Sequence, residues 1–141
     1  MLTEVVRLVA RLTASAFAGA CLYILLVQHP VRMSLAAPAA LDDFRATIPR
    51  AERLQAPLLV VSLLATALSL LTFRWTTVVG GVLLLAVLVQ TIVTVLPINQ
   101  GLLAGEATDH LDEAPDALRR WGRLHAVRTV VAVVGVVALL R

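Results

Sequence analysis

The stretch WGRLHAVRTVVAVVGVVALL, residues 121–140, decides how the chain is read. Its second half holds only Val, Ala, Gly and Leu, and from Leu124 onward it matches the roughly 17–25 helical residues that cross a bilayer core. Its first half places Trp121, His125, Arg128 and Thr129 at i, i+4, i+7 and i+8, which is one helical stripe. A lone Arg at the end of a membrane helix snorkels to the headgroups, and a lone Trp there belongs to the aromatic belt. Four such side chains on one stripe ask whether other segments bring them partners.

Working outward, the rest of the chain is built the same way. Of its 141 residues 60% are hydrophobic and 15% charged, with a mean hydropathy of +0.91. A soluble domain of this size cannot hide that much apolar surface. Four apolar blocks, at about 8–28, 57–73, 77–96 and 124–140, give the expected fold class: an all-α integral membrane four-helix bundle in one transmembrane domain. FRWTT, residues 73–77, leaves room for only a tight turn between the second and third spans. The longer connections cover roughly residues 29–56 and 97–123. The first is expected to be partly helical, because LDDFRATIPRAERLQAPLL reads as a helix running from Pro49 into the second span. Ala14/Ala18, Ser15/Gly19 and Gly80/Gly81 put small residues where helices can approach closely. Arg7 and Arg11 before an apolar run, with AAPAA at 36–40, also resemble a signal peptide. The run is longer than a usual signal core and His29-Pro30 interrupts it, so an uncleaved helix is expected.

All 12 basic residues are Arg, the usage of a GC-rich bacterial genome, so the expected location is a bacterial inner membrane. The Arg residues are scattered along the chain, so the pI of about 10.4 calls for no nucleic-acid partner; the lipid bilayer is the expected environment. Cys21 stands alone mid-helix, which excludes an intrachain disulfide. Arg residues flank both membrane faces, and the positive-inside rule leaves orientation open.

Topology then polarises the chemistry. With four spans, both termini lie on one side and both long connections on the other. Gln28-His29 ends the first span, and Glu52, Arg53 and Gln55 begin the second. Gln90, Thr91, Thr94, Pro97 and Asn99 end the third; Trp121, His125, Arg128 and Thr129 begin the last. All of these belong to the loop-side mouth. Pro97 is expected to break the third span and free backbone carbonyls. His125 and Arg128 are expected to face the bundle interior, since an ionisable group facing lipid is costly.

No metal is assigned. His29 and His125 with Glu52 or a carboxylate of the second long connection make a conceivable ligand set, but no ligand spacing supports it. His110 falls in the acidic stretch EATDHLDEAPD and reads as solvated loop. Nucleotide-binding glycine loops, nucleophile elbows and matched haem-ligating histidines are all missing from the sequence.

TVLPINQGL at 94–102 followed by RRWGRLHAVRT at 119–129 resembles the anthrone-oxygenase-like family of small four-helix membrane proteins. Pro97, Asn99, Leu102, Trp121, His125, Arg128 and Thr129 carry the resemblance, and HPVRM at 29–33 and RLQAPL at 53–58 extend it more loosely. It implies an oxygenase that converts an anthrone-type polyketide to the anthraquinone with molecular oxygen. Such a substrate has an acidic benzylic position whose anion passes an electron to oxygen, so no cofactor is required. The resemblance makes His125 the base, with His29 the second candidate, and Arg128 and Asn99 the enolate stabilisers. Trp121 becomes a stacking wall, and Gln55, Thr94 and Thr129 complete the substrate-binding set.

Two function classes follow. One is an oxidoreductase acting on a small hydrophobic molecule, polyketide-like or quinone-like, that enters from the membrane. The other is a non-catalytic protein that binds a lipid or quinone head group or supports a partner. Only 4% of the residues are aromatic, lean for a polycyclic site, which weighs toward the second. A transporter ranks third, because no inverted repeat is visible.

Overall fold

A computed structural model describes residues 2–104 and 113–141 of the chain. Helix α1 (Leu2–Tyr23) passes through a π-turn (Ile24–Gln28) into the short α2 (His29–Met33). Helix α3 (Ala37–Ser69) follows after three residues. Helix α4 (Trp75–Gln90) continues through a second π-turn (Thr91–Val95) into α5 (Leu96–Ala104), and α6 (Ala114–Leu140) completes the bundle. Four continuous columns thus run Leu2–Met33, Ala37–Ser69, Trp75–Ala104 and Ala114–Leu140, each long and apolar enough to cross a membrane. The protein is an all-α, four-helix, multi-pass membrane protein.

The connection between the first two columns is helical almost throughout, more so than the sequence suggests. Helix α3 has 33 residues, about 50 Å at 1.5 Å per residue, so it outruns a hydrocarbon core of roughly 30 Å. Its N-terminal part projects on the loop side and forms a second apolar core. There Ala40, Leu41, Phe44 and Ile48 pack with Ile24, Leu102, Leu118 and Trp121. Within the bilayer Ala14, Phe17, Ala18 and Cys21 of α1 pack against Leu59, Leu84, Val87 and Ala132. Ala14 and Ala18 are the close-approach pair on α1; Ser15 and Gly19 lie on the exposed face. Leu64, Val82 and Val130 turn outward, as expected of a surface whose solvent is lipid.

Pro97 does not break the third column, contrary to the sequence reading. The helix widens just before it, with the Leu96 amide reaching back to the Thr91 carbonyl. The same device precedes Pro30, where the His29 amide bonds the Ile24 carbonyl. A proline has no N–H to donate and its ring crowds the preceding turn. One i→i+5 turn immediately upstream absorbs both problems and lets the helix continue.

Candidate functional site

The helix stripe of α6 finds its partners. Trp121, His125, Arg128 and Thr129 are all buried, with His125 0% exposed. The indole Nε1 of Trp121 donates to Asn99 Oδ1 on α5 at 2.6 Å, and Asn99 Nδ2 donates to Glu52 on α3. The Trp121 and His125 rings stack, with centroids 4.9 Å apart and planes 8° from parallel. Arg128 Nη2 lies 3.0 Å from both Gln55 Oε1 and His125 Nδ1. His125 Nε2 lies 3.0 Å from the Cys21 carbonyl. Three helices and the backbone of α1 therefore meet in one relay, Glu52–Asn99–Trp121 joined by stacking to His125–Arg128–Gln55.

These contacts fix the chemistry of His125. A carbonyl only accepts, so Nε2 carries the proton; a guanidinium only donates, so Nδ1 offers its lone pair to Arg128. Both ring nitrogens are committed and the ring is enclosed. The imidazole that the sequence nominates first as base has no free nitrogen to offer a substrate. Asn99 is likewise spent, its amide donating to Glu52 and its oxygen accepting from Trp121. Thr94 and Thr129 donate to the Gln90 and His125 carbonyls one turn back on their own helices. Gln90 ties the third column to the last by donating to the Leu124 carbonyl at 3.0 Å.

His29 is different. Its ring is half-buried at the start of α2 and tilts against Trp121, with centroids 5.5 Å apart. Among the described residues neither of its nitrogens has a hydrogen-bond partner, and Nδ1 is shielded from solvent. The ring fits because residue 122 is glycine: a Cβ there would lie 2.1 Å from His29 Nε2. His29, Gly122 and Ala126, with Arg119 and Arg123 above them, line an open groove of about 490 Å³ between the first and last columns. The described part of the loop-side mouth thus holds an interior relay, in which Gln55 Nε2 and Arg128 Nε keep no partner among the described residues, and an open lateral groove on the other side of Trp121. A wider pocket of about 760 Å³ lies between Ile98, Leu102, Asp116 and Arg120.

Sequence reasoning missed several members. Arg32, 0% exposed, donates Nε to Asp43 at 2.7 Å and Nη2 to Thr47 at 2.8 Å. Its guanidinium carbon lies 5.1 Å from the Phe44 ring centre and 5.6 Å from that of Trp121. Phe44 in turn meets Trp121 edge-on at 5.3 Å. The Cys21 carbonyl was invisible too, because a backbone acceptor leaves no mark in sequence. Among the described residues no three His, Cys, Asp or Glu side chains group as metal ligands, and His110 lies outside them.

The comparisons with known proteins now bear on this geometry. The family model for anthrone oxygenase matches residues 44–138, about two-thirds of the chain. The chain belongs to the anthrone oxygenase family. No curated protein and no solved structure matches it. The matched region contains Glu52, Gln55, Asn99, Trp121, His125 and Arg128, the whole side-chain relay, whereas His29 and Arg32 precede it.

Proposed function

We propose that the protein is an oxygenase that oxidises a small hydrophobic molecule of anthrone type at the lateral groove, with His29 as the base. What supports this is the place of the His29 imidazole on the wall of an open groove, where among the described residues neither ring nitrogen has a hydrogen-bond partner. A general base needs a free nitrogen within hydrogen-bond reach of the proton it removes. Both His125 nitrogens are committed, whereas among the described residues those of His29 are not. With Nδ1 shielded and Nε2 packed over Gly122, a turn of the ring would bring Nε2 to the substrate. The interior relay then acts as scaffold: it holds the Trp121 ring, and the ring holds His29.

The reaction balances without a further redox partner. His29 takes a proton from the benzylic CH₂ that is activated by the ring ketone. The resulting enolate passes one electron to O₂, the two radicals combine into a peroxide anion, and the His29 imidazolium returns its proton to give the hydroperoxide and the free base. Loss of water across the C–H and O–OH bonds leaves the second carbonyl. One O₂ is consumed, with one oxygen kept in the quinone and the other released as water. Arg119 and Arg123 at the groove's upper edge are placed to stabilise enolate charge.

The test is oxygen uptake by the purified protein in lipid nanodiscs given anthrone. One O₂ per anthraquinone formed, at a rate above empty nanodiscs, is expected. His29→Ala should lower that rate roughly 100-fold or more, the usual worth of a positioned base. Gly122→Ala, which puts a methyl group where the ring lies, should act in the same direction. Uptake no faster than in empty nanodiscs, or full activity in His29→Ala, refutes the assignment. Retained ligand binding without turnover would then favour the head-group binder.

A further inference from the structure

The guanidinium of Arg32 is not fully used. Nε and Nη2 have partners in Asp43 and Thr47, but Nη1 is buried and has none among the described residues. A charged donor hidden from water with nothing to bond costs more than a neutral one. Arg32 also borders a cavity of about 210 Å³ whose other walls are Met33, Leu35, Ala37, Ala40, Pro115, Leu118 and Arg119. Among the described residues no carboxylate lines that cavity. Six of its eight lining residues are apolar, and its two polar ones are both arginines. Arg119 also borders the His29 groove, so one side chain joins the two spaces. Its own described partner is Asp116, an exposed neighbour one turn back.

We propose that Arg32 and Arg119 form an oxyanion site for the acidic group of an amphiphilic ligand. Arg32 supplies the fixed, desolvated donor and Arg119 the adaptable one at the rim. The apolar walls take the carbon skeleton next to the acid. A carboxylate or phosphate suits a guanidinium because it accepts charge-assisted hydrogen bonds that a neutral group cannot match. Two sources supply that chemistry: an acid substituent on a ligand such as the oxidised substrate, or the phosphate of a bilayer lipid. The site depends on the oxygenase reading only through its neighbour, the His29 groove.

Binding rather than turnover tests it, so the two ideas fail separately. The probes are 2-naphthoate and its neutral methyl ester, titrated calorimetrically into protein held in phosphatidylcholine nanodiscs. The acid should bind at least about tenfold tighter than the ester, the worth of one charge-assisted hydrogen bond. Arg119→Gln should erode that preference several-fold. Arg32→Gln should abolish it, but leaves Asp43 without its partner and risks misfolding. Ala37→Asp avoids that risk: residue 37 is in the first turn of α3, where an acid is tolerated, and its carboxylate would occupy the site from within. It too should abolish the preference. Titrating phosphatidylglycerol back into delipidated protein in a non-ionic detergent separates the sources. Competition with naphthoate makes the headgroup the occupant, and lack of competition makes it a ligand carboxylate. Equal binding of acid and ester, or a preference that survives all three substitutions, overturns the proposal.

Discussion

The two mouths of the bundle both hold arginines and satisfy most of them in different ways, Arg45 of the loop side, which donates to the Leu102 carbonyl at 3.3 Å, being an exception. At the terminal mouth Arg11 Nε donates to the Leu139 carbonyl at 2.8 Å, and Arg74 Nη2 donates to the Arg141 carbonyl at 3.1 Å. Arg7 Nη2 donates to the Thr72 hydroxyl at 2.6 Å, just past the end of α3. The carbonyl acceptors belong to the end of α6, where carbonyls are left over and the dipole favours cations. At the loop-side mouth Arg128 and Arg32 rely on Gln55, His125, Asp43 and Thr47, all side chains. Around Arg11 and Arg74 the first arrangement needs only a helix end and tolerates changes nearby, while Arg7 adds side-chain partners in Thr72 and the exposed Glu4. The second needs particular residues on particular helices, which is the signature of a site that evolution has to hold in register.

The sharpest way to break that comparison is Asn99→Leu. It strips the acceptor from the buried Trp121 N–H and the donor from Glu52 in one step, leaving both unpaired. Orphaned buried groups cost about 1–3 kcal/mol each, so a loss of roughly 2–4 kcal/mol is expected. Thermal unfolding in a mild detergent reads it. A loss below about 1 kcal/mol would mean that water reaches the relay and that the loop-side mouth is no more specific than the other.

Gly122→Ala comes next. The new methyl group meets His29 Nε2, Cδ2 and Cε1 at 2.1, 2.8 and 2.8 Å, so the ring must leave its place against Trp121. Rotation of one half-exposed ring costs about 1–3 kcal/mol, partly offset by the better helix propensity of alanine. The stability change is therefore smaller than for Asn99→Leu, while the effect on oxygen uptake should be larger. A variant with full activity and unchanged melting would separate His29 from the groove's function.

How far these features could be read from sequence follows from the same contrast. The stripe of Trp121, His125 and Arg128 was legible because helical periodicity places them together and topology supplies Gln55 and Asn99 at the same end. Which of them is available for chemistry was not legible. The tautomer of His125 depends on a backbone carbonyl of Cys21, and no residue type encodes that. The freedom of His29 depends on Gly122, whose missing side chain reads as ordinary close packing. Arg32 went unassigned because Gln28-His29 reads as the end of the first span. The π-turns let the first and third columns run past Pro30 and Pro97, and that continuation carries Arg32 inward. Two X-Pro pairs closing spans at the same mouth, His29-Pro30 and Leu96-Pro97, were the available hint.

The terminal mouth gives the smallest effects and therefore the control. Arg11→Met keeps the long apolar stem and removes only the donor to Leu139. Interhelical hydrogen bonds in membrane proteins average about 0.6 kcal/mol, because the freed carbonyl finds other partners. A loss of roughly 0.5–1 kcal/mol is expected, from the same unfolding measurement. Arg74→Ala should fall below even that, within about 0.5 kcal/mol, since Arg74 is exposed and its one acceptor lies at the fraying end of α6. Neither change should alter oxygen uptake or the preference for an acidic ligand. If Arg11→Met instead matched Asn99→Leu, the terminal mouth would hold a second specific network. The buried Thr66 hydroxyl, which has no partner among the described residues and shares a small cavity with Arg7 and Arg11, would be the first place to look for it.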